Sequence, residues 1–186
     1  GVYYFAGSVI ALFAMMSILV LWLQRDGMVR KIINTEHYHD MGKLLFGFVV
    51  FWSYIAFSQY LLIWYANIPE ETLWYEHRSH GGWGTVGTML IVGHFFIPFF
   101  FLISRVTKRN PTMLLLGAVW MLAIHYVDLY FIIMPVLDEH GPHPSLVDLF
   151  SLVCVLSLFL AAFAFLASKA ELVPVKDPRL PESLRF

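Results

Sequence analysis

Polar residues are sparse along this chain and gather in short clusters. Between the clusters run five stretches of almost unbroken apolar residues, at roughly 2–23, 44–66, 83–104, 112–135 and 146–167. Each is long enough to cross a hydrocarbon core as a helix, which takes about 20 residues. None shows the period-two alternation of a transmembrane strand, and Gly, Pro and Trp inside such runs are tolerated where neighbouring helices satisfy the backbone. The pattern predicts an all-α integral membrane protein, a polytopic bundle of five transmembrane helices over 1–167 followed by a Pro-rich tail over 168–186.

Composition agrees: 59% of the residues are hydrophobic and 13% charged, with a mean hydropathy of +0.70, outside the range of ordinary soluble domains. The net charge of −1 carries little information, but the placement of the basic residues carries much. Arg25, Arg30, Lys31 and Lys43 lie between the first two spans, Arg105, Lys108 and Arg109 between the third and fourth, and Lys169, Lys176, Arg179 and Arg185 after the fifth. Arg78 is the one basic residue on the other side. The positive-inside rule makes the basic segments and the tail cytoplasmic and the N-terminus external. The loops 67–82 and 136–145, with Glu70, Glu71, Glu76, Asp138 and Glu139, then face outward.

The chain opens "GVYYFAGSVI", with no Met, basic n-region or cleavage pattern, as expected of the later part of a longer polypeptide. Its single cysteine, Cys154, offers no disulfide framework or cysteine cluster site and reads as a buried small hydrophobe. "VRKIIN" and "TEHYHDMGK" suggest an interfacial piece leading into a helix that begins before the second span, capped by Asn34 or Thr35. Trp74, Tyr75 and Trp83 read as headgroup-level anchors. Pro111 suits the first turn of the fourth span, Pro135 ends it, and Pro174, Pro178 and Pro181 make the tail extended.

The polar residues inside the spans are the candidates for chemistry. His94 lies eleven residues into the third span and His125 ten before the end of the fourth, which puts both about 15 Å deep from the outer side. Asp128 and Gln59 lie about 10 Å deep, with Tyr54 and Ser58 on the second span at comparable depths. His125 and Asp128, three apart, share a helix face. An aspartate at such depth is costly and faces a bundle interior or a hydrated cavity; His125 is its nearest candidate partner, and the pair suits proton exchange. The alternative is a neutral hydrogen-bonded clasp between helices. His94, in "GHFFIPFF", has its own alternative, serving a carbonyl freed by Pro98.

On the cytoplasmic side Glu36, His37 and Asp40, with His39, form a possible proton-uptake cluster or an ordinary capped helix start. The external "EHRSH" and "EHGPHP" match no standard zinc spacing, so no metal is expected there. Equal depth for His94 and His125 also fits a pair of axial ligands to a b-type haem.

Several stretches together resemble a known family. They are "NTEHYHDMGKLLFGFVVFWSYIAFSQYLLIWYANIPEETLWY", "GHFFIPF", "SRVTKRNP", "HYVDLYFIIMP" and "LVPVKDPRLPESLRF". The chain is similar to the later half of the ActF subunit of bacterial alternative complex III, an NrfD-like or polysulfide-reductase-like membrane subunit. The resemblance implies a multi-pass protein of the bacterial inner membrane, within a quinol:electron-acceptor oxidoreductase. It implies no cofactor held by this chain, contact with quinol or quinone, and iron–sulfur clusters and c-type haems in partner subunits, one of them a paralogous NrfD-like subunit. It further implies that His94, His125 and Asp128, with Tyr54, Ser58 and Gln59 as relays, belong to a proton pathway or quinone site. A purely structural anchor is the remaining alternative, and nucleic acid is excluded as a partner.

Overall fold

The computed structural model describes all residues except 26, 28, 30, 31, 139, 140, 171, 173–176 and 184–186, and only the backbone of 181 and 183. Arg30, Lys31, Lys176 and Arg185 in the charge pattern, Glu139 in the 136–145 loop and Pro174 in the tail therefore lie outside the described residues. Every regular element among the described residues is helical. Five segments of the described residues are long and apolar enough to cross a membrane: Val2–Arg25, Thr35–Ala66, Gly81–Ile103, Pro111–Val136 and Leu146–Ala167. The described chain divides into two compact units, Gly1–Pro142 and His143–Phe186.

In the first unit, α1 (Val2–Arg25) packs against α2 (Thr35–Ala66) and α7 (Pro111–Ile133). Ala6, Ile10, Ala14 and Ser17 are buried along α1, and Leu114, Ala118, Met121, Ile124, His125 and Asp128 along α7. These are helical spacings, and the small residues let the backbones approach closely, as apolar packing requires where lipid removes the hydrophobic drive between helices. Asn34 caps α2, its side chain accepting from the N–H groups of Glu36 and His37. Gln24 at the end of α1 donates to the carbonyl of Ile33 at 3.0 Å and accepts from the Tyr38 hydroxyl, which ties the two helices together at that end. The helix of the second span thus starts well before its apolar run, as the cap residues indicate.

The connection after α2 forms α3 (Pro69–Ser79), entered with Pro at its first turn. The third span is three pieces in one rod: α4 (Gly81–Leu90), a π-helical turn (Ile91–Phe96) and α5 (Ile97–Ile103). Ser104 then caps the short α6 (Arg105–Arg109), and Asn110 caps α7, with Pro111 at its first position. Lys108 of α6 packs its stem over Gly42, where a Cβ would stand 2.8 Å from its Cγ, and donates to the carbonyl of Ile103 at 3.2 Å. Burial lowers the Lys108 pKa from its ordinary value, with Lys43 acting in the same direction. A 3₁₀ turn, Met134–Val136, closes α7 around Pro135.

Trp83, expected at a lipid headgroup boundary, is instead fully buried, with its indole N–H donating to the carbonyl of Asp138 at 2.8 Å. A flat, amphipathic ring serves an internal loop as readily as an interface, and only the packing chooses between them. In the second unit, α8 (Leu146–Ala167) is capped by Ser145 in a reciprocal box with Asp148. Cys154, read from sequence as buried, is exposed on α8, which has no buried residue. The described part of the tail is not wholly extended, since Leu180–Ser183 forms a helical turn, α9.

Candidate functional site

Four titratable side chains from three segments meet at the centre of the first unit. Asp128 is 1% exposed and His94 0%. His125 Nδ1 lies 3.8 Å from Asp128 Oδ2, within ion-pair range but beyond a hydrogen bond. The hydrogen bond to the carboxylate comes from elsewhere: the Tyr3 hydroxyl, on the first turn of α1, donates to Asp128 Oδ1. The rings of His94 and His125 stand edge to face with centroids 6.1 Å apart. One ligating atom each from His94, His125 and Asp128 falls within 4.8 Å of the others.

Local backbone explains how such polar rings reach one another. Gly7 of α1 faces the pair, and a Cβ there would stand 2.6 Å from Cε1 and 3.0 Å from Nδ1 of His125. The π turn carries His94, an extra residue per turn that rotates the ring inward relative to a regular helix. Trp120 of α7 donates from its indole nitrogen to the Gly93 carbonyl at 2.8 Å, inside that turn, so a backbone acceptor is satisfied from a neighbouring helix. Trp52 stacks on His94 with centroids 3.9 Å apart, and Tyr3 packs on Trp52 at 5.4 Å.

The His94 ring does not serve a carbonyl released by Pro98. Neither of its nitrogens has a hydrogen-bond partner among the described residues, and Trp120 does the carbonyl service in this turn. His125 Nδ1 and Trp52 Nε1 are likewise buried without a hydrogen-bond partner. Such unpaired polar atoms are expensive in a packed interior and concentrate at functional sites.

Beside this group a cavity of about 1000 Å³ opens at the end of the unit that carries α3. Its wall is mostly aromatic and aliphatic, including Tyr3, Trp52, Tyr54, Gln59, Tyr75 and Arg78. Tyr54 and Gln59 thus line the cavity and stand apart from the histidines; Tyr54 is 65% exposed in this chain. Ser58, on the same helix, is outside that lining. Arg78 is 4% exposed and spends its donors on carbonyls: Nε to Phe131 at 3.2 Å, Nη1 to Trp74 at 3.0 Å and Nη2 to Ile132 at 2.8 Å. Its guanidinium also lies over the Trp74 ring, 4.0 Å from the centroid. Burial lowers its pKa from the ordinary arginine value.

The candidates expected on the cytoplasmic side sit at the opposite end of the unit, where α6 lies. Glu36 pairs with Arg109 at 2.7 Å and with His39 at 3.6 Å, and Asp40 pairs with Lys43 at 2.6 Å. His37 completes the capping box of α2 with Asn34. These are contacts of helix starts and ion pairs, and they do not join the central group.

Sequence reasoning missed Tyr3, Gly7 and Trp52. Tyr3 reads as one more interfacial aromatic in "VYYF", Gly7 as a packing residue in "FAGS", and Trp52 as part of an aromatic stripe. No local signal couples them to residues more than forty positions away. The sequence matches no protein-family model and no curated protein.

Proposed function

We propose that this chain is a membrane subunit of a quinol:electron-acceptor oxidoreductase of the alternative complex III type, contributing to quinone binding and to a route for its protons. The reading rests on the sequence resemblance and on one observation in particular. An aromatic-walled cavity shares a wall, Tyr3, with a buried carboxylate and two imidazoles. Ligand sites of this kind are concave and largely apolar, with a few placed donors, which suits an aromatic head and a hydrocarbon tail. Gln59 and Arg78 bring an amide and a guanidinium to the wall, and Trp52 and Trp74 bring indole N–H groups.

Oxidation of a quinol releases two electrons and two protons. In this reading the electrons leave to iron–sulfur clusters and c-type haems of partner subunits on the outer face, and a paralogous NrfD-like subunit lies in the same complex. This chain, in the bacterial inner membrane with its N-terminus outside, holds none of those centres. Its part is to seat the ring and take protons toward Asp128, His125 and His94. An ionisable residue at membrane depth is expensive to keep and marks such routes.

The deciding experiment is quinol oxidation by the assembled complex carrying Asp128→Asn, at equal subunit content. A fall in turnover of about a hundredfold is expected where a proton-transfer group is removed. An unchanged rate would take Asp128 out of the path, leave the chemistry to the paralogous subunit and make this chain a structural anchor. A second reading, a b-type haem between the two histidines, draws on their 6.1 Å centroid separation. It needs room for a macrocycle where Trp52 and Gly7 pack, and it predicts a Soret band from this chain that disappears in His94→Ala.

A further inference from the structure

Among the described residues, Tyr3 alone both lines the cavity and hydrogen-bonds the buried carboxylate. Asp128 is 1% exposed, and neither it nor the two histidines belongs to the cavity wall. Trp52, a wall residue that also touches the group, meets His94 with the face of its ring, which carries no exchangeable proton. We propose that Tyr3 is the proton gate between the cavity and the buried group, the residue through which a hydroxylic substrate's proton reaches Asp128. The proposal deepens the quinol reading and rests on it.

Three properties fit Tyr3 to this position. A phenol is both donor and acceptor, so one oxygen can take a proton from the cavity side while giving its own to the carboxylate. Its ordinary pKa, about 10, keeps it protonated at rest, which leaves Asp128 with a donor rather than a competing charge. Its ring is held against Trp52 at 5.4 Å, and Trp52 against His94 at 3.9 Å, so the hydroxyl is aimed by packing and not by the hydrogen bond alone. The step balances without a new reactant. The substrate O–H bond breaks as an O–H bond forms on Tyr3, and the former Tyr3 proton is bonded to Asp128 Oδ1. Tyrosine is regenerated in the same exchange. The substrate's electrons leave separately to the partner redox centres named above.

Gly7 completes the gate from behind. It admits the His125 ring to within contact of the α1 backbone, so the helix that carries Tyr3 is the same one that holds His125 beside Asp128. A shift of α1 would therefore disconnect donor and acceptor together.

The test is Tyr3→Phe in the assembled complex, which keeps the ring on Trp52 and removes only the hydroxyl. Two readouts are taken: steady-state quinol oxidation, and the infrared carboxyl band of Asp128, assigned by its loss in Asp128→Asn. The expected result is a fall in kcat of about tenfold to a hundredfold, with KM within about twofold of wild type, and a displaced Asp128 band. A band that stays in place would overturn the hydrogen bond itself. A displaced band with normal kcat would overturn the gating role while leaving the bond. Should Tyr3→Phe fail to assemble, fluorotyrosines of graded acidity at position 3 preserve the shape; a rate independent of phenol acidity then overturns the proposal. Failure of the underlying quinol reading looks different, because Asp128→Asn would then turn over normally whatever Tyr3 does to the band.

Discussion

Arg78 donates from Nε to the carbonyl of Phe131, 3.2 Å away, an acceptor that Pro135, lacking an N–H, leaves without its donor four residues on. The one basic residue expected on the external side is thus the C-terminal cap of α7. Its charge sits where the helix dipole is negative, and its planar fork reaches the carbonyls of Phe131, Ile132 and Trp74 at once. It thereby holds α3 over the end of α7 and forms part of the cavity wall.

Replacing Arg78 by Ala should destabilise the fold by about 2–4 kcal/mol, the scale of losing charge-assisted bonds to buried carbonyls. Lysine should recover less than half of that, because a single ammonium cannot span the same acceptors. Unfolding in mixed micelles, followed by helical circular dichroism, measures both. An alanine variant as stable as wild type would show that water serves those carbonyls equally well.

Gly7→Ala places a methyl 2.6 Å from Cε1 of His125. The ring is closed in and the α1 backbone cannot retreat from α7 without loss elsewhere, so a cost of about 1–3 kcal/mol is expected. Gly47→Ala is the matched control. Nothing lies within 4 Å of its added carbon, and the helix backbone gains from the substitution. Equal stability of the two variants would contradict the close approach of α1 to His125.

Tyr75, in the cavity wall on α3, has its phenol pushed up to about 12 from 10.0, by burial first and then by the neighbouring Tyr60. The neutral phenol is favoured in the fold, whereas the unfolded chain ionises at the ordinary value. Its stabilising contribution is therefore intact below about pH 10 and is lost as the pH rises toward about 12. Thermal unfolding midpoints measured across that alkaline range should fall less steeply in Tyr75→Phe than in wild type. Parallel slopes would mean that Tyr75 ionises as freely in the fold as out of it.

Most of the architecture was legible from the chain itself, and for a definite physical reason. In a bilayer every backbone polar group must be paired within the protein, so a run of about 20 apolar residues has essentially one structure available. The five spans, the early start of α2 behind Asn34 and the first-turn place of Pro111 follow from length, hydropathy and capping chemistry, which are local. So does the shared face of His125 and Asp128, since three residues on one helix leave little freedom.

What tertiary structure alone decided are the contacts between helices. Apolar side chains pack almost as well against lipid as against one another, so hydropathy does not say which face of a span turns inward. Trp83 and Trp74 carry the same chemical promise of an interfacial anchor, yet one is sealed against the Asp138 carbonyl and the other lies under Arg78. Tyr54 and Gln59 ended in a cavity wall apart from the histidines, while Tyr3, 125 positions from Asp128 in the chain, became its hydrogen-bond donor. The π turn that points His94 inward depends on a carbonyl of Gly93 being met by Trp120 from another helix. Sequence determined which segments are helices and which of them carry polar residues within an apolar run; close packing of small residues on α1 and α7 decided which of those residues meet.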